Sequence, residues 1–357
     1  MEMIDWKLAV ATGARLAGEG PQVSAAEADE VVAELRAGAA RSTPLVREFT
    51  GLEAEATSAP VLVVDRRGWV QANADGFSQI ISPVVDKLQQ RRGGSGDGLT
   101  DMVGSRISGL EVGALFGFLA GKVLGQFDPY YAPEPTTPGG PRETGRLLLV
   151  APNIVQAERD LHADPSDFRL WVCLHEETHR VQFTAVPWMR DHLLGEIHGL
   201  VDDVEVDPAK IAAMLGEAAR RAGDVVMGKS ENGLLDLFAT ERQREVVDRV
   251  TGVMSLLEGH ADVVMDGVGP EVIPSVAQIR ERFNQRRKGA GSVDRMLRRL
   301  LGLDAKMAQY RNGAHFVRTV VDKVGMDGFN QVWAEPAHLP SKDEIADPGS
   351  WVRRVHS

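Results

Sequence analysis

One cysteine, Cys173, stands in the whole chain of 357 residues. No disulfide can form within it, and a zinc site built from several thiolates is excluded. That fits a reducing compartment or indifference to redox state. Positive charge is also in deficit: 51 Asp and Glu stand against 40 Lys and Arg, a formal net charge of -11. An acidic protein repels phosphate backbones, so nucleic acid is a poor partner. Arg280, Arg282, Arg286, Arg287 and Lys288 form a local basic run. Glu281 interrupts it, and it reads as a solvated helix face. Long apolar runs are missing too. The best stretch, Leu110 to Leu124, is too short to span a bilayer comfortably and carries Glu111 and Lys122. Met1 to Val10 lacks the apolar core of a secretory signal and carries Glu2, Asp5 and Lys7. A soluble, cytoplasmic protein with no membrane partner is expected.

What is present is an ordinary globular balance, 43% hydrophobic and 25% charged, enough for a large core. Helical spacing dominates. Residues 1–59 read as largely helical, with Ser24 and Glu27 placed for a capping box ahead of Val31, Val32 and Leu35. After Pro60, Val61 to Asp65 reads as a short strand and Arg66-Arg67-Gly68 as a turn. Helical spacing returns over Asn73 to Gln90, with Pro83 placed to kink it. Arg91 to Leu99 reads as a flexible loop. Gly109, Gly113, Gly117, Gly121 and Gly125 then recur every four residues. On a helix that is a glycine stripe, which costs about 1 kcal/mol per residue relative to alanine. Close approach of another backbone is the natural compensation, so the segment reads as a tightly packed core helix; the alternative is a G-x-x-x-G membrane dimer.

Asp128 to Gly145 reads as a loop, and Arg146 to Asn153 as a buried strand ended by Pro152. This strand is either internal or an edge able to hold an extended peptide. A helix is expected from about Ser166 to Val186, stopped by Pro187. Further helices are expected over 208–222, 232–266, 276–287, 293–301, 305–324 and 326–333. The chain as a whole reads as α+β and predominantly α, one elaborated unit over 1–357. Within it, 1–90 is an N-terminal helical and strand part, 91–100 a flexible loop, and 101–357 a metal-binding core.

The chemistry is concentrated in Trp171-Val172-Cys173-Leu174-His175-Glu176-Glu177-Thr178-His179. This is H-E-x-x-H inside the expected helix. Residues four apart on a helix lie one above the other, so both imidazoles can reach one Zn²⁺. Glu176 points to a neighbouring sector, where its carboxylate can touch a metal-bound water as general base. Apolar Cys173, Leu174, Val181 and Phe183 surround the motif, and two buried histidines without partners would be destabilising. A catalytic zinc needs a third protein ligand. Glu258 and Asp262 lie four apart in Leu256-Leu257-Glu258-Gly259-His260-Ala261-Asp262. One of these carboxylates can bind the metal while the other accepts the N–H of a ligand histidine. His260 lies on the opposite side of that helix and is an alternative ligand, as are His192 and His198. Cys173 reads as a small buried hydrophobe. Trp188 reads as a core residue.

H-E-x-x-H followed by E-x-x-x-D resembles the gluzincin metallopeptidases. The resemblance implies His175, His179 and Glu258 as zinc ligands, Glu176 as base and Asp262 as support for a ligand. Glu258 follows His179 by 79 positions, a long gap for that group. The chain is also similar along nearly its full length to actinobacterial zincin-like hydrolases of unknown function. One branch of these is associated with biosynthesis of the deazaflavin coenzyme. Ile4-Asp5-Trp6, Ala9 to Gly13, Leu149-Val150-Ala151-Pro152-Asn153, His179-Arg180-Val181-Gln182-Phe183 and Glu258-Gly259-His260 carry this likeness. It implies a zincin-like fold and a metallohydrolase.

The expected mechanism is zinc-assisted hydrolysis of a peptide or small amide substrate. His260, Tyr310 and His315 are candidate oxyanion donors, and Tyr310 also reads as a helix packing residue. Two other readings are a zincin-like scaffold that binds a partner without catalysis, and a metal-dependent enzyme of coenzyme metabolism.

Overall fold

The computed structural model describes residues 4–54, 59–92, 98–132, 145–202, 241–288 and 303–357. The helices expected over 208–222 and 293–301, and the first part of that over 232–266, lie outside these residues. So do 93–97 of the loop expected at 91–100, whose two ends are helical instead, and 133–144 of the loop expected at 128–145. The chain divides into two compact units. One comprises Met1–Arg190 with Val264–Glu281, the other Asp191–Val263 with Arg282–Ser357. The described residues are mostly helical with a small three-stranded sheet.

In the first unit α1 (Trp6–Leu16) starts where the Asp5 carboxylate accepts from Leu8 N–H at 2.9 Å. The long α2 (Ala25–Thr50) is capped by Ser24, which accepts from Glu27 N–H, and ends at Gly51 in the left-handed region. The Glu27 carboxylate pairs with Arg159 at 2.6 Å, so this residue also ties α2 to a distant segment. β1 (Val61–Val64) leads into α3 (Arg66–Arg92). The expected turn at Arg66-Arg67-Gly68 is instead the first turn of α3. Asp65 caps it, its side chain accepting from Gly68 N–H at 2.6 Å. α4 (Gly98–Ala120) follows, then β2 (Gly125–Asp128) and β3 (Arg146–Val150).

The glycine stripe is explained by α1. A Cβ at Gly109, Gly113 or Gly117 would come within 2.6–2.7 Å of Asp5, Ala9 and Leu16. The two helices meet backbone to backbone, as a core helix requires. The helical stretch ends at Ala120, so Gly125 belongs to β2 and answers to a different neighbour.

β3 is the middle strand. It pairs in parallel with β1, Val61 opposite Leu147, and antiparallel with β2, Gly125 opposite Leu149. It is buried along its whole length. The edge-strand reading of this segment is therefore overturned, because both its sides are already hydrogen-bonded. The strand is also shorter than expected. Pro152 stands in the first turn of α5 (Ala151–Asp160), where its missing N–H costs nothing. Leu148 and Val150 pack on Trp69, Val70, Phe116 and Ala120. Strand alternation turns Leu147 and Leu149 to the other face, where α6 (Pro165–Ala185) lies against β2 and β3. Pro187 then starts α7 (Pro187–Asp202).

The second unit holds most of α8 (Glu241–Gly267) and all of α10 (Leu303–Phe329), while the residues of α9 (Val276–Lys288) are divided between the two units. α8 and α10 touch through glycine. A Cβ on Gly259 would collide with the Gly313 backbone, and one on Gly313 with the Ser255 carbonyl. The short α11 (Lys342–Ala346) and α12 (Pro348–Val355) close the chain. Trp351 is fully buried and donates its indole N–H to the His338 carbonyl at 2.8 Å.

Candidate metal centre

α6 is a buried helix on nearly every side. Phe168, Leu170, Trp171, Val172, Cys173, Leu174 and Val181 are core residues, and Asp164 caps the start by accepting from Asp167 N–H. Such burial leaves little freedom to the polar residues it carries. His175 and His179 are half-buried and stand one turn apart. Their Nε2 atoms face each other at 3.2 Å, with the rings nearly perpendicular. Two nitrogens bound to one tetrahedral zinc, each at about 2.0–2.1 Å, stand roughly 3.3 Å apart. The pair thus has the spacing of two ligands of one ion.

The other nitrogen of each ring is turned away from this meeting point. His179 Nδ1 lies 2.9 Å from Gln182 Oε1, and Gln182 is completely buried. His175 Nδ1 lies 3.2 Å from the sulfur of Met265, a buried residue near the end of α8.

Glu176 and Glu177 are neighbours with different surroundings. Glu176 packs against β2: a Cβ on Gly125 would sit 2.5 Å from its Cγ and 2.9 Å from a carboxylate oxygen. Only glycine allows the strand to come this close. Glu177 is fully buried on the other side of α6. It accepts from Thr43 Oγ1 at 2.7 Å and from the Arg180 guanidinium at 2.6–3.0 Å. Arg180 also donates to the Ala59 carbonyl, just before β1. Burial pushes the Glu177 carboxyl up, and the bonds from Arg180 and Thr43 oppose that shift. This cluster ties α6 to α2 and to the start of β1.

Cys173 is fully buried, with its thiol 3.5 Å from the Leu35 carbonyl. Burial, with Glu176 and Glu177 nearby, pushes the thiol up to about 12. A thiol so reluctant to ionise is no nucleophile, in line with the sequence reading.

Glu258 and Asp262 are both half-buried, one turn apart on α8. His260 is completely buried, its ring 5.3 Å from Phe329 and 5.4 Å from Trp333. His192 and His198 are half-buried on α7, and His315 is exposed on α10. Tyr310 belongs to α10, but its side chain lies outside the described residues. Trp188 is half-buried.

Sequence reasoning assigned no role at this site to Gln182, Met265 or Thr43, and it counted Gly125 in the glycine stripe of a helix, where the structure has it in β2. The i, i+3 spacing of His179 and Gln182 was a usable signal, because such pairs meet on a helix. Met265 and Thr43 come from distant elements and no local pattern marks them, and the glycine repeat that includes Gly125 gives no hint of its contact with Glu176.

Residues 4–352 match the sequence model of the zincin-like metallopeptidase family. No curated protein matches the chain. Among solved structures, the chain is similar to a candidate hydrolase with a novel fold from Chloroflexus aurantiacus, at 31% identity and a TM-score of 0.69. The similarity covers 99% of each chain.

Proposed function

Because the chain belongs to the zincin-like metallopeptidase family, we propose that it is a zinc-dependent hydrolase cleaving an amide bond, with Glu176 as general base. The observation that carries this is the approach of His175 Nε2 and His179 Nε2 to 3.2 Å on one buried helix. Two imidazole nitrogens so close repel through their lone pairs unless a cation or a proton lies between them.

We assign the third ligand to Glu258. The side chains of His175, His179 and Glu258 offer two imidazole nitrogens and one carboxylate oxygen, the donor set of many catalytic zinc sites. Glu258 also stands seven residues before Met265 on one continuous helix. That is two turns, so the two share a helix face, and Met265 is the residue that meets His175. Asp262 lies between them on the same face, suited to support a ligand imidazole.

A bound zinc would acidify a water and polarise the scissile carbonyl. Glu176, held against β2 beside the histidine pair, would take the proton from the attacking water and return it to the leaving amine. Among the described residues β2 is an edge of the sheet, unlike β3. An extended peptide pairing with that edge would run past Gly125 and so past Glu176. This favours a peptide over a compact amide as substrate.

The test is zinc content of the purified protein together with hydrolysis of a peptide library by wild type and Glu176→Gln. The variant should keep equimolar zinc and lose about 100- to 10,000-fold in rate. Full activity in the variant would reject Glu176 as base, and a wild type that binds no zinc would reject the whole reading.

A further inference from the structure

Zinc takes the lone pair of a neutral imidazole, so a ligand histidine must keep its proton on the nitrogen facing away from the metal. A free imidazole in water prefers the opposite arrangement, with the proton on Nε2. In this chain Nε2 is the nitrogen that each of His175 and His179 turns toward the other. Something must therefore hold a proton on Nδ1.

For His179 that group is Gln182. Its amide oxygen lies 2.9 Å from Nδ1, one helical turn further along α6. Gln182 is completely buried, so water does not compete for the bond. The amide is neutral. It cannot remove the proton it holds, and it adds no negative charge beside Glu176 and Glu177. For His175 the atom facing Nδ1 at 3.2 Å is the Met265 thioether, a weak acceptor. The two rings thus differ in the strength of the group behind them.

We infer that Gln182 is a positioning residue, which fixes the tautomer and orientation of His179 so that its Nε2 lone pair is presented to the metal. This rests on the zinc reading above. It names a determinant of metal affinity outside the H-E-x-x-H motif.

The test uses Gln182→Met, which keeps the length and removes the acceptor, and Gln182→Glu, which restores one. Zinc affinity is measured on the full chain by competition with a chelator. Outer groups of this kind are worth about 10- to 100-fold in metal affinity. Gln182→Met should lose that much while the metal-free variant melts with the wild type, and Gln182→Glu should stay near the wild-type affinity. Nitrogen-15 spectra of the metal-free wild type should show the His179 proton on Nδ1. Wild-type affinity in Gln182→Met overturns the inference, and so does a His179 proton found on Nε2 in the wild type. Should Gln182→Met not fold, the wild-type spectrum decides alone. If instead His179→Ala leaves zinc binding unchanged, the metal site itself has failed, and the inference with it.

Discussion

Gly125 sets how closely the sheet approaches the candidate base. A side chain there would overlap Glu176, whose Cγ would lie 2.5 Å from the new Cβ. Gly125→Ala should push the carboxylate aside, or push β2 away from α6, without touching either histidine. A displacement of about 1 Å at a reacting group can cost roughly 100-fold in rate. Peptide hydrolysis should therefore fall by about that factor while zinc stoichiometry stays at the wild-type value. Loss of zinc in Gly125→Ala would show that the glycine serves the ligands and not the base. The adjacent pair Glu176 and Glu177 makes the same point from the other side. Identical side chains one residue apart face a strand and a salt-bridged anchor, because 100° of helix rotation separates them.

At the scale of elements, burial and capping decide what each segment does. α6 is held along its length by apolar packing and, behind the histidines, by Glu177, Arg180 and Thr43. α4 owes its glycines to α1, and α8 and α10 meet through Gly259 and Gly313. Gly259 sits between Glu258 and His260, so the Glu-Gly-His run combines a ligand candidate, a helix contact and a buried ring. The C-terminal α11 carries a complete capping box between Ser341 and Glu344. Burial alone would push the Glu344 carboxyl up, yet bonds from Arg354 and from Ser341 hold it below the ordinary glutamate range. A depressed carboxyl favours the folded state above its unfolded value, about 4.3. That contribution disappears as pH falls through the lower folded value. Glu344→Gln should accordingly lower the melting temperature at neutral pH and flatten its decline in acid. The side chain is partly solvated, so the effect should be about 1 kcal/mol or less. An unchanged acid limb in the variant would remove Glu344 from the account.

For the whole molecule, the proposed metal binding carries a consequence for stability. A ligand that binds only the folded chain stabilises it by about 2.7 kcal/mol when present at 100 times its dissociation constant. Chelation should lower the melting temperature of the wild type, and added zinc should restore it. His175→Ala should melt at one temperature with or without zinc. A zinc-dependent shift that survives in His175→Ala would place the ion elsewhere. Among the described residues no helix is long and apolar enough to cross a membrane.

Local spacing is enough to place His175, Glu176 and His179 on one helix, with the two histidines a turn apart, because residues within a turn are related by helix geometry alone. The same holds for the predominance of helix and for the glycine stripe as a packing surface, since periodicity is local information. The order of the strands was not readable. Only the folded sheet shows that, among the described residues, β3 is central and β2 an edge, because pairing depends on segments far apart in the chain. The tertiary structure likewise decided which buried groups stand behind His175 and His179, and why residue 125 must lack a side chain. These are properties of contacts between distant elements, where identity at one position carries no trace of the neighbour it will meet.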